Sequence, residues 1–330
     1  MSYIAIIGAG SWGTTLACLL CKKGFDVVIW ARENEIAESI NNKKQNVTYL
    51  PGISLPPMLF ATNDIFEATK KARIIVNVVP TQFIREVFKK IQNHINDEAI
   101  IVSASKGIEK KNLETPSMIL KEIFNKEVAV LSGPSFAIEV AQEKPTAVTI
   151  SSHEKKDRLL LQEIFSTNYF RVYEHDDPIG AEIGGAVKNV IAIASGICDA
   201  LELGNNARAA LITRGLHEIM RLGKKMGAKE ITFSGLSGIG DLFLTCTSKI
   251  SRNYTVGFRL GKGETMEEIS KSMSSVAEGV GTSQSAMELS KKLGVDMPIT
   301  EQVYQVIYEG KNPEEAATDL MNRALKSEFY

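Results

Sequence analysis

Short apolar runs alternate with longer amphipathic segments over the first half of the chain, a pattern that predicts strands alternating with helices. Eight runs predict strands, at residues 4–7, 26–30, 59–62, 74–79, 99–103, 128–132, 147–151 and 170–173. Repeated strand–helix units predict a doubly wound parallel sheet of the Rossmann type. Such a sheet binds its ligand at the carboxyl ends of its strands.

The second half of the chain has helical spacing and no strand pattern. Helices are predicted at residues 179–203, 206–226, 253–260, 266–273, 282–293, 299–309 and 313–326. Residues 235–253, rich in glycine and polar side chains, interrupt this spacing and predict a loop. Because 330 residues exceed the usual size of one hydrophobic core, we predict two domains. Residues 1–177 are the predicted α/β dinucleotide-binding domain, and residues 178–330 are the predicted all-helical substrate domain.

The predicted helix at residues 179–203 places Lys188 among almost continuous apolar residues. Lysine is rarely buried without a partner, so this side chain is paired, reaches solvent with its ammonium, or takes part in chemistry. Gly184 and Gly185 precede it, and each costs a helix about 1 kcal/mol relative to alanine. We interpret these glycines as clearance for ligands that approach the backbone near Lys188.

The first predicted strand runs into the sequence Gly-Ala-Gly-Ser-Trp-Gly, followed by a helix and a second strand. In this context Gly8 makes a tight turn, Gly10 lets a pyrophosphate approach the backbone, and Gly13 lets helix and strand pack closely. The motif predicts a dinucleotide site. After the second strand, Arg32 suits the 2'-phosphate of NADP, whereas Glu33 suits a ribose hydroxyl. The sequence therefore favours NADPH without excluding NADH.

Three loops follow predicted strands at the edge where a ligand is expected, at residues 79–81, 104–107 and 132–137. Lys106 comes directly after one of these strands, which favours a ligand contact over a solvated lysine. In the helical half, Ser251 is a predicted N-cap and Arg252 stands beside it. A capped helix start with free N–H groups and a guanidinium predicts a phosphate site.

Composition narrows the class of partner. The net charge of -1 and the charged fraction of 23% give no support for nucleic-acid binding. Charged and polar residues interrupt the longest apolar stretch, so we predict no membrane span. The chain begins directly with a strand, and we expect a cytoplasmic protein without a signal peptide. Cys18 and Cys21 fall late in a helix with no second pair, so we predict no metal site.

Seven motifs resemble those of the bacterial NAD(P)-dependent glycerol-3-phosphate dehydrogenases. They are G-A-G-S-W-G-T-T-L-A near the start, Y-L-P-G at Tyr49, S-K-G-I at Ser105, L-S-G-P-S-F-A at Leu131, E-I-G-G-A-V-K-N at Glu182, G-L-S-G-I-G-D-L at Gly235 and T-S-K-I-S-R-N at Thr247. They occur in order over most of the chain. The resemblance implies reversible reduction of dihydroxyacetone phosphate, a phosphorylated triose, to sn-glycerol 3-phosphate for phospholipid synthesis.

The resemblance also implies roles for individual residues. It implies that Lys188 is the proton donor and acceptor, accompanied by Lys106 and Asp241. The implied substrate contacts are Lys106, Gly133, Ser135, Lys188, Asp241, Ser251, Arg252 and Asn253. The implied cofactor contacts, besides Gly8, Gly10 and Gly13, are Ser11, Trp12, Arg32, Lys106, Ala137, Arg252, Val276 and Glu278.

The implied chemistry requires an acidic lysine. An ordinary lysine, with a pKa of about 10.4, is a poor acid at neutral pH. We expect burial and the nearby Lys106 to lower the pKa of Lys188 toward about 8, and pairing with Asp241 to oppose that shift.

Two other functions fit part of the sequence. A β-hydroxyacid or 6-phosphogluconate type dehydrogenase shares the two-domain plan and the G-G-x-x-K segment, but its asparagine one helical turn later is Ala192 here. A nucleotide-sensing protein without turnover is the alternative outside enzymes. The sequence leaves the oligomeric state open, with a homodimer among the possible states.

Overall fold

The structure, a computed structural model, describes residues 3–273 and 277–328. All eight predicted strands are present, and they form one sheet in the order β3-β2-β1-β4-β5-β6-β7-β8. The strands are β1 Tyr3–Ile7, β2 Val27–Trp30, β3 Phe60–Thr62, β4 Ala72–Asn77, β5 Ile100–Ser103, β6 Val128–Ser132, β7 Thr146–Ser151 and β8 Phe170–His175.

The predicted doubly wound sheet of the Rossmann type is confirmed, and its strands are parallel except at one pairing. Strand β7 runs antiparallel to β6, with Leu131 opposite Ile150, while β7 and β8 are parallel to each other. The reason lies in the connection between them. The short helix in that connection begins at Ala137, whose carbonyl accepts a hydrogen bond from the Thr15 hydroxyl at 3.2 Å. The connection thus stays near the carboxyl end of β6, and the chain re-enters the sheet from there.

Helices cover both faces of the sheet. They are α1 Ser11–Lys22, α2 Asn34–Glu38, α3 Ile65–Thr69, α4 Ile84–Lys89, α5 Pro116–Phe124, α6 Ala137–Ala141 and α7 Lys155–Phe165. On one face Leu16 and Phe165 are buried in the same cluster as the sheet residue Ile6. On the other face Phe88 and Leu120 pack with Ile7. Alternate residues of β1 therefore contribute to two different cores.

The remainder of the described chain is helical. Its helices are α8 Pro178–Ala200, α9 Gly204–Lys225, α10 Asp241–Thr247, α11 Arg252–Gly261, α12 Met266–Ser272, α13 Glu278–Leu293, α14 Pro298–Tyr308 and α15 Pro313–Met321. The last strand ends at His175, and Asp177 caps α8 by accepting a hydrogen bond from the Gly180 N–H at 2.9 Å. The change from sheet to helices thus falls where the sequence suggested, while the division into two domains at residue 177 stays a prediction.

Residues 235–253 are not the predicted loop. Leu236–Gly240 forms a helical turn with a backbone break at Gly238, and α10 follows from Asp241. The glycines conceal a short helical pattern, because Leu242 and Cys246, four residues apart, are both fully buried. Asp241 consequently occupies the first turn of a helix.

Helix α8 is the central helix of the second half. It is long and apolar enough to cross a membrane, but 94% of its most apolar window is buried inside the protein. Its burial by neighbouring helices is what a core helix shows, so its length and composition alone give little support for a membrane span. Lys188 therefore lies on the most enclosed helix of the second half.

A buried carboxylate joins two helices within this helical half. Glu218 of α9 accepts hydrogen bonds from the backbone N–H groups of Ile299 and Thr300 at 2.6 and 3.1 Å, and from the Thr300 hydroxyl at 3.0 Å. It thereby caps the amino end of α14. Burial raises the pKa of Glu218 to about 7, against the hydrogen bonds, which lower it.

We predict that Glu218 makes the stability of the protein depend on pH. A carboxyl whose pKa is raised on folding binds more protons in the folded state, so its contribution to stability falls as pH rises from about 4.5 to about 7. Glu218→Gln removes this titration. The difference in unfolding free energy between the variant and wild type, measured by urea denaturation, should shift in favour of the variant as pH rises across this range. A difference that is constant with pH would contradict the prediction.

Candidate active site

The glycine loop between β1 and α1 has the geometry of a dinucleotide site. Gly8 has a φ of 120°, and a Cβ at Gly13 would lie 1.9 Å from the Gly8 carbonyl oxygen. At Gly10, by contrast, no described atom lies within 4 Å of a Cβ position. No described side chain caps the amino end of α1. The loop thus presents backbone N–H groups and open space to an anion.

A buried asparagine that the sequence analysis missed supports this loop. The Asn46 side chain donates from Nδ2 to the Ala9 carbonyl and to the Thr14 hydroxyl, both at 2.8 Å, and its Oδ1 accepts from the Tyr49 N–H at 3.1 Å. Its position next to the Y-L-P-G motif was a weak signal. A single asparagine in a polar stretch does not otherwise stand out.

The other predicted cofactor residues of the first half lie around this loop or beyond β2. Ser11 and Trp12 open α1, and Ala137 opens α6, which packs beside it. Arg32 is exposed beyond β2 and forms an ion pair with Glu33 at 2.7 Å. Glu33, considered from the sequence as a ribose ligand, is thus the partner of the arginine that suits a 2'-phosphate.

The three predicted catalytic residues come together at one point. Asp241 lies between two ammonium groups, with its Oδ1 2.5 Å from Lys188 Nζ and its Oδ2 2.7 Å from Lys106 Nζ. Lys106 Nζ also donates to the Gly133 carbonyl at 2.9 Å. The contacts join α8, α10 and the loops after β5 and β6.

The environment of Lys188 favours its neutral form more than water does. Burial lowers the pKa of Lys188 to about 8; Asp241 opposes this shift, and the charge of Lys106 adds to it. Thr245 is a fourth member of the cluster that the sequence analysis missed. Its hydroxyl donates to the Asp241 carbonyl at 2.7 Å and accepts from Lys188 Nζ at 2.8 Å. Its spacing of four from Asp241 is informative only once this segment is known to be helical.

The interpretation of Gly184 and Gly185 as ligand clearance was wrong. A Cβ at Gly184 would lie 2.3 Å from the Ser237 carbonyl oxygen, and one at Gly185 would lie 2.9 Å from the Ser132 hydroxyl. The Lys106 side chain also lies beside Gly185, 3.3 Å from that Cβ position. These glycines let other parts of the protein approach α8, so the close contact they permit is internal.

The predicted phosphate site at the start of α11 stays a prediction. Ser251 caps α11 as predicted, accepting from the Tyr254 N–H at 3.2 Å, and Arg252 beside it is exposed. Asn253 is buried, and its amide donates to Asn189 Oδ1 and accepts from the Gly279 N–H, each at 2.9 Å. Asn253 therefore links α8 to the start of α13. In the first half, the Ser135 hydroxyl donates to the Gly133 carbonyl at 3.1 Å.

Glu278 connects the start of α13 to the charge cluster. Burial raises its pKa to about 7, and the positive charges of Arg252, Lys106 and Lys188 oppose this shift. The backbone of Thr81, in one of the three predicted ligand loops, also opposes the rise in this pKa. Val276, the remaining predicted cofactor contact, lies outside the described residues.

Cys18 and Cys21, which have C-x-x-C spacing, differ from a redox pair in their burial and in their pKa values. Cys18 and Cys21 are buried in α1, and burial raises both pKa values to about 12. Thiolate formation is therefore disfavoured. Over residues 3–273 and 277–328, no group of three histidine, cysteine or acidic side chains is placed to hold a metal ion.

Two models of one protein family match the chain. The family model for the amino-terminal part of NAD-dependent glycerol-3-phosphate dehydrogenase matches residues 3–158, and the model for the carboxyl-terminal part matches residues 177–318. The chain belongs to this family. The match decides between the enzyme families considered from the sequence, and it identifies an oxidoreductase that uses a nicotinamide dinucleotide.

Individual members of the family are similar along their whole length. Proteins named glycerol-3-phosphate dehydrogenase [NAD(P)+] from Citrifermentans bemidjiense and Leptospira biflexa are 53% and 50% identical to the chain over 329 residues, covering 98% or more of each sequence. The crystal structure of the glycerol-3-phosphate dehydrogenase from Coxiella burnetii is 38% identical. It superposes with a TM-score of 0.94 over 98% of this chain and 99% of that one.

The different surroundings of Gly10 and Gly13 lead to a test of the dinucleotide site. In Gly10→Ala the new methyl group fits the protein but occupies the space left for a pyrophosphate, so NADPH affinity should fall on the order of 10-fold or more while the melting temperature stays near that of wild type. In Gly13→Ala the methyl group meets the Gly8 carbonyl, so both properties should fall. Titration of NADPH by fluorescence and a thermal melt measure the two effects. Unchanged NADPH affinity in Gly10→Ala would contradict this assignment.

Proposed function

We propose that this protein catalyses the reversible reduction of dihydroxyacetone phosphate to sn-glycerol 3-phosphate with NADPH or NADH. Membership of the glycerol-3-phosphate dehydrogenase family supports the reaction class. The observation that carries the proposal for this chain is the buried contact of Lys188 with Asp241 and Thr245, beside Lys106 from the edge of the sheet. A ketone oxygen that gains negative charge needs such a cationic proton donor.

The residues of the glycine loop fit a dinucleotide. The open space at Gly10 and the free amino end of α1 suit a pyrophosphate, with Ser11 and Trp12 in the first turn. When bound, the nicotinamide supplies the hydride that is added to C2 of the ketone. Arg32 suits the 2'-phosphate of NADP, and its ion pair with Glu33 weakens that contact without excluding it. We therefore propose that both cofactors are used and that NADPH is favoured.

Lys188 performs the proton transfer in this proposal. Its ammonium polarises the carbonyl of the ketone and then gives a proton to the oxygen as C2 is reduced. Asp241 and Thr245 hold the ammonium in one orientation, and Lys106 favours release of the proton by its positive charge. In the oxidation of glycerol 3-phosphate, neutral Lys188 takes the proton from the hydroxyl group.

The phosphate of the substrate is assigned to the start of α11. Arg252 provides a permanently charged, forked donor, and Ser251 keeps the first turn of the helix in place. Gly133 and Ser135, in the loop after β6, complete the proposed substrate site with Lys106. Asn253 acts in this proposal through Asn189, the residue after Lys188.

Three further properties are proposed from the sequence. The product supplies the backbone for phospholipid synthesis, and we infer that the enzyme works in the cytoplasm. The proposed assembly is a homodimer, which sedimentation would test.

Lys188→Ala should lower kcat by on the order of 10²–10⁴-fold while NADPH still binds, because the variant loses its general acid but keeps the glycine loop. Consumption of NADPH or NADH on addition of dihydroxyacetone phosphate, followed by absorbance, measures the rate. In wild type, reduction should weaken as pH rises through about 8, and oxidation should strengthen. Near-normal turnover of Lys188→Ala would reject the role of the lysine. No turnover by wild type with either cofactor would reject the proposed reaction and favour a nucleotide sensor.

Arg252→Ala should mainly weaken the interaction with the phosphate group. We expect kcat/KM for dihydroxyacetone phosphate to fall by about 10²-fold, corresponding to about 3 kcal/mol for a charged hydrogen-bonded pair, while the low rate with dihydroxyacetone changes little. Arg259→Ala, at another arginine of α11 that pairs with Glu264, is the matched control. Equal loss with both substrates would show that Arg252 does not bind the phosphate.

A further inference from the structure

A second buried carboxylate lies on α8, six residues before Lys188. Glu182 is 2% exposed and accepts hydrogen bonds from the N–H and the hydroxyl of Ser117, at 2.8 and 2.5 Å. Ser117 belongs to the first turn of α5, in the sheet-containing half of the protein. Thr115, the N-cap residue of α5, makes no side-chain cap bond. Glu182 therefore supplies from the other half of the chain the cap that α5 lacks.

The contact of the Glu182 carboxylate with the amino end of α5 fixes both the distance between α8 and α5 and their relative orientation. A carboxylate at a helix amino end interacts favourably with the N–H groups and the helix dipole, and its hydrogen bonds require a defined approach. Gly184 and Gly185, which follow on α8, allow close approach of Ser237 and of Lys106 but have no side chain that could form a bond. The directional contact of this part of α8 with the sheet-containing half is thus made by Glu182.

The position of Lys188 depends on the same stretch of helix. Six residues of α-helix span about 9 Å, so a rotation or shift of α8 at Glu182 is carried to the ammonium of Lys188. The dinucleotide site belongs to the sheet-containing half, whereas Lys188, Asp241 and Thr245 belong to the helical half. Proton donor and hydride donor must meet at adjacent atoms of one substrate, and a misplacement of about 1 Å costs on the order of 10²-fold in rate.

We propose that Glu182 is a positioning residue for hydride transfer, which sets the catalytic lysine against the cofactor half by capping α5 across the two halves of the chain. The inference rests on the proposed function. It differs from a purely structural role, because its loss should affect the chemical step and not only the stability of the fold.

The chain contains a matched control. Glu218 is also buried, also caps a helix that begins with proline, and also receives a hydroxyl hydrogen bond, here from Thr300. Burial raises the pKa of both glutamates to about 7. Both helices joined by Glu218 belong to the helical half, so its replacement should cost similar stability without moving Lys188 relative to the cofactor.

The test compares Glu182→Gln with Glu218→Gln under single-turnover conditions, using NADPH and NADPH deuterated at the transferred position. In Glu182→Gln the single-turnover rate of hydride transfer should fall on the order of 10- to 100-fold. The deuterium isotope effect on the steady-state kcat should be larger than in wild type, and the NADPH dissociation constant should be unchanged. Glu218→Gln should keep the wild-type rate. Equal rates in the two variants, or a Glu182→Gln rate within about twofold of wild type, would overturn the proposal.

A gentler pair of variants keeps the test usable if Glu182→Gln does not fold. Ser117→Ala removes one hydrogen bond to Glu182, and Thr300→Ala removes the corresponding bond to Glu218. Ser117→Ala alone should slow hydride transfer, and an equal effect of both would overturn the proposal. Failure of wild type to turn over dihydroxyacetone phosphate would instead reject the proposed function on which the inference rests.

Discussion

One carboxylate between two ammonium groups joins α8, α10 and the loop after β5 at the centre of the candidate site. Asp241 is 1% exposed, and an isolated charge in such a place would be strongly unfavourable. Its two oxygens each contact a lysine, one from α8 and one from the loop after β5. Removing either lysine would leave the buried charge of Asp241 less compensated. These ion pairs therefore hold the three elements together. Burial lowers the pKa of Lys188 and the positive charge of Lys106 adds to this shift, so Lys188 loses its proton more readily than an ordinary lysine.

Around this centre, polar side chains mainly hold other parts of the protein. Asn46 holds the glycine loop, Asn253 joins α8 to the start of α13, and Thr245 fixes the ammonium of Lys188. Such an arrangement keeps the geometry of the site from being decided by flexible side chains.

Much of the fold could be predicted from the sequence, because the strands are short apolar runs and the helices have regular spacing. The reversal of β7 could not, since an apolar run has no direction. The helical nature of residues 236–247 was hidden by glycines, and with it the pairing of Asp241 with Thr245. Lys188 was found because it lies among apolar residues, and Lys106 because it directly follows a strand. Asp241 was found only through the resemblance of its motif to a known family. Asn46 was missed because its polar neighbours in the sequence make it ordinary, and Gly184 and Gly185 were misread because a glycine shows that something is close without showing what.

The reversed strands also determine where the helical half begins. His175, the last residue of β8, pairs with Ser151, which in turn pairs with Val130 in the middle of β6. Helix α8 begins soon after His175, at Pro178, and its Gly185 lies against Ser132, the last residue of β6. The number of helical residues that precede Lys188 thus sets the direction in which its side chain points. One residue more or fewer before Lys188 would rotate its side chain by about 100° around the helix axis, away from Asp241.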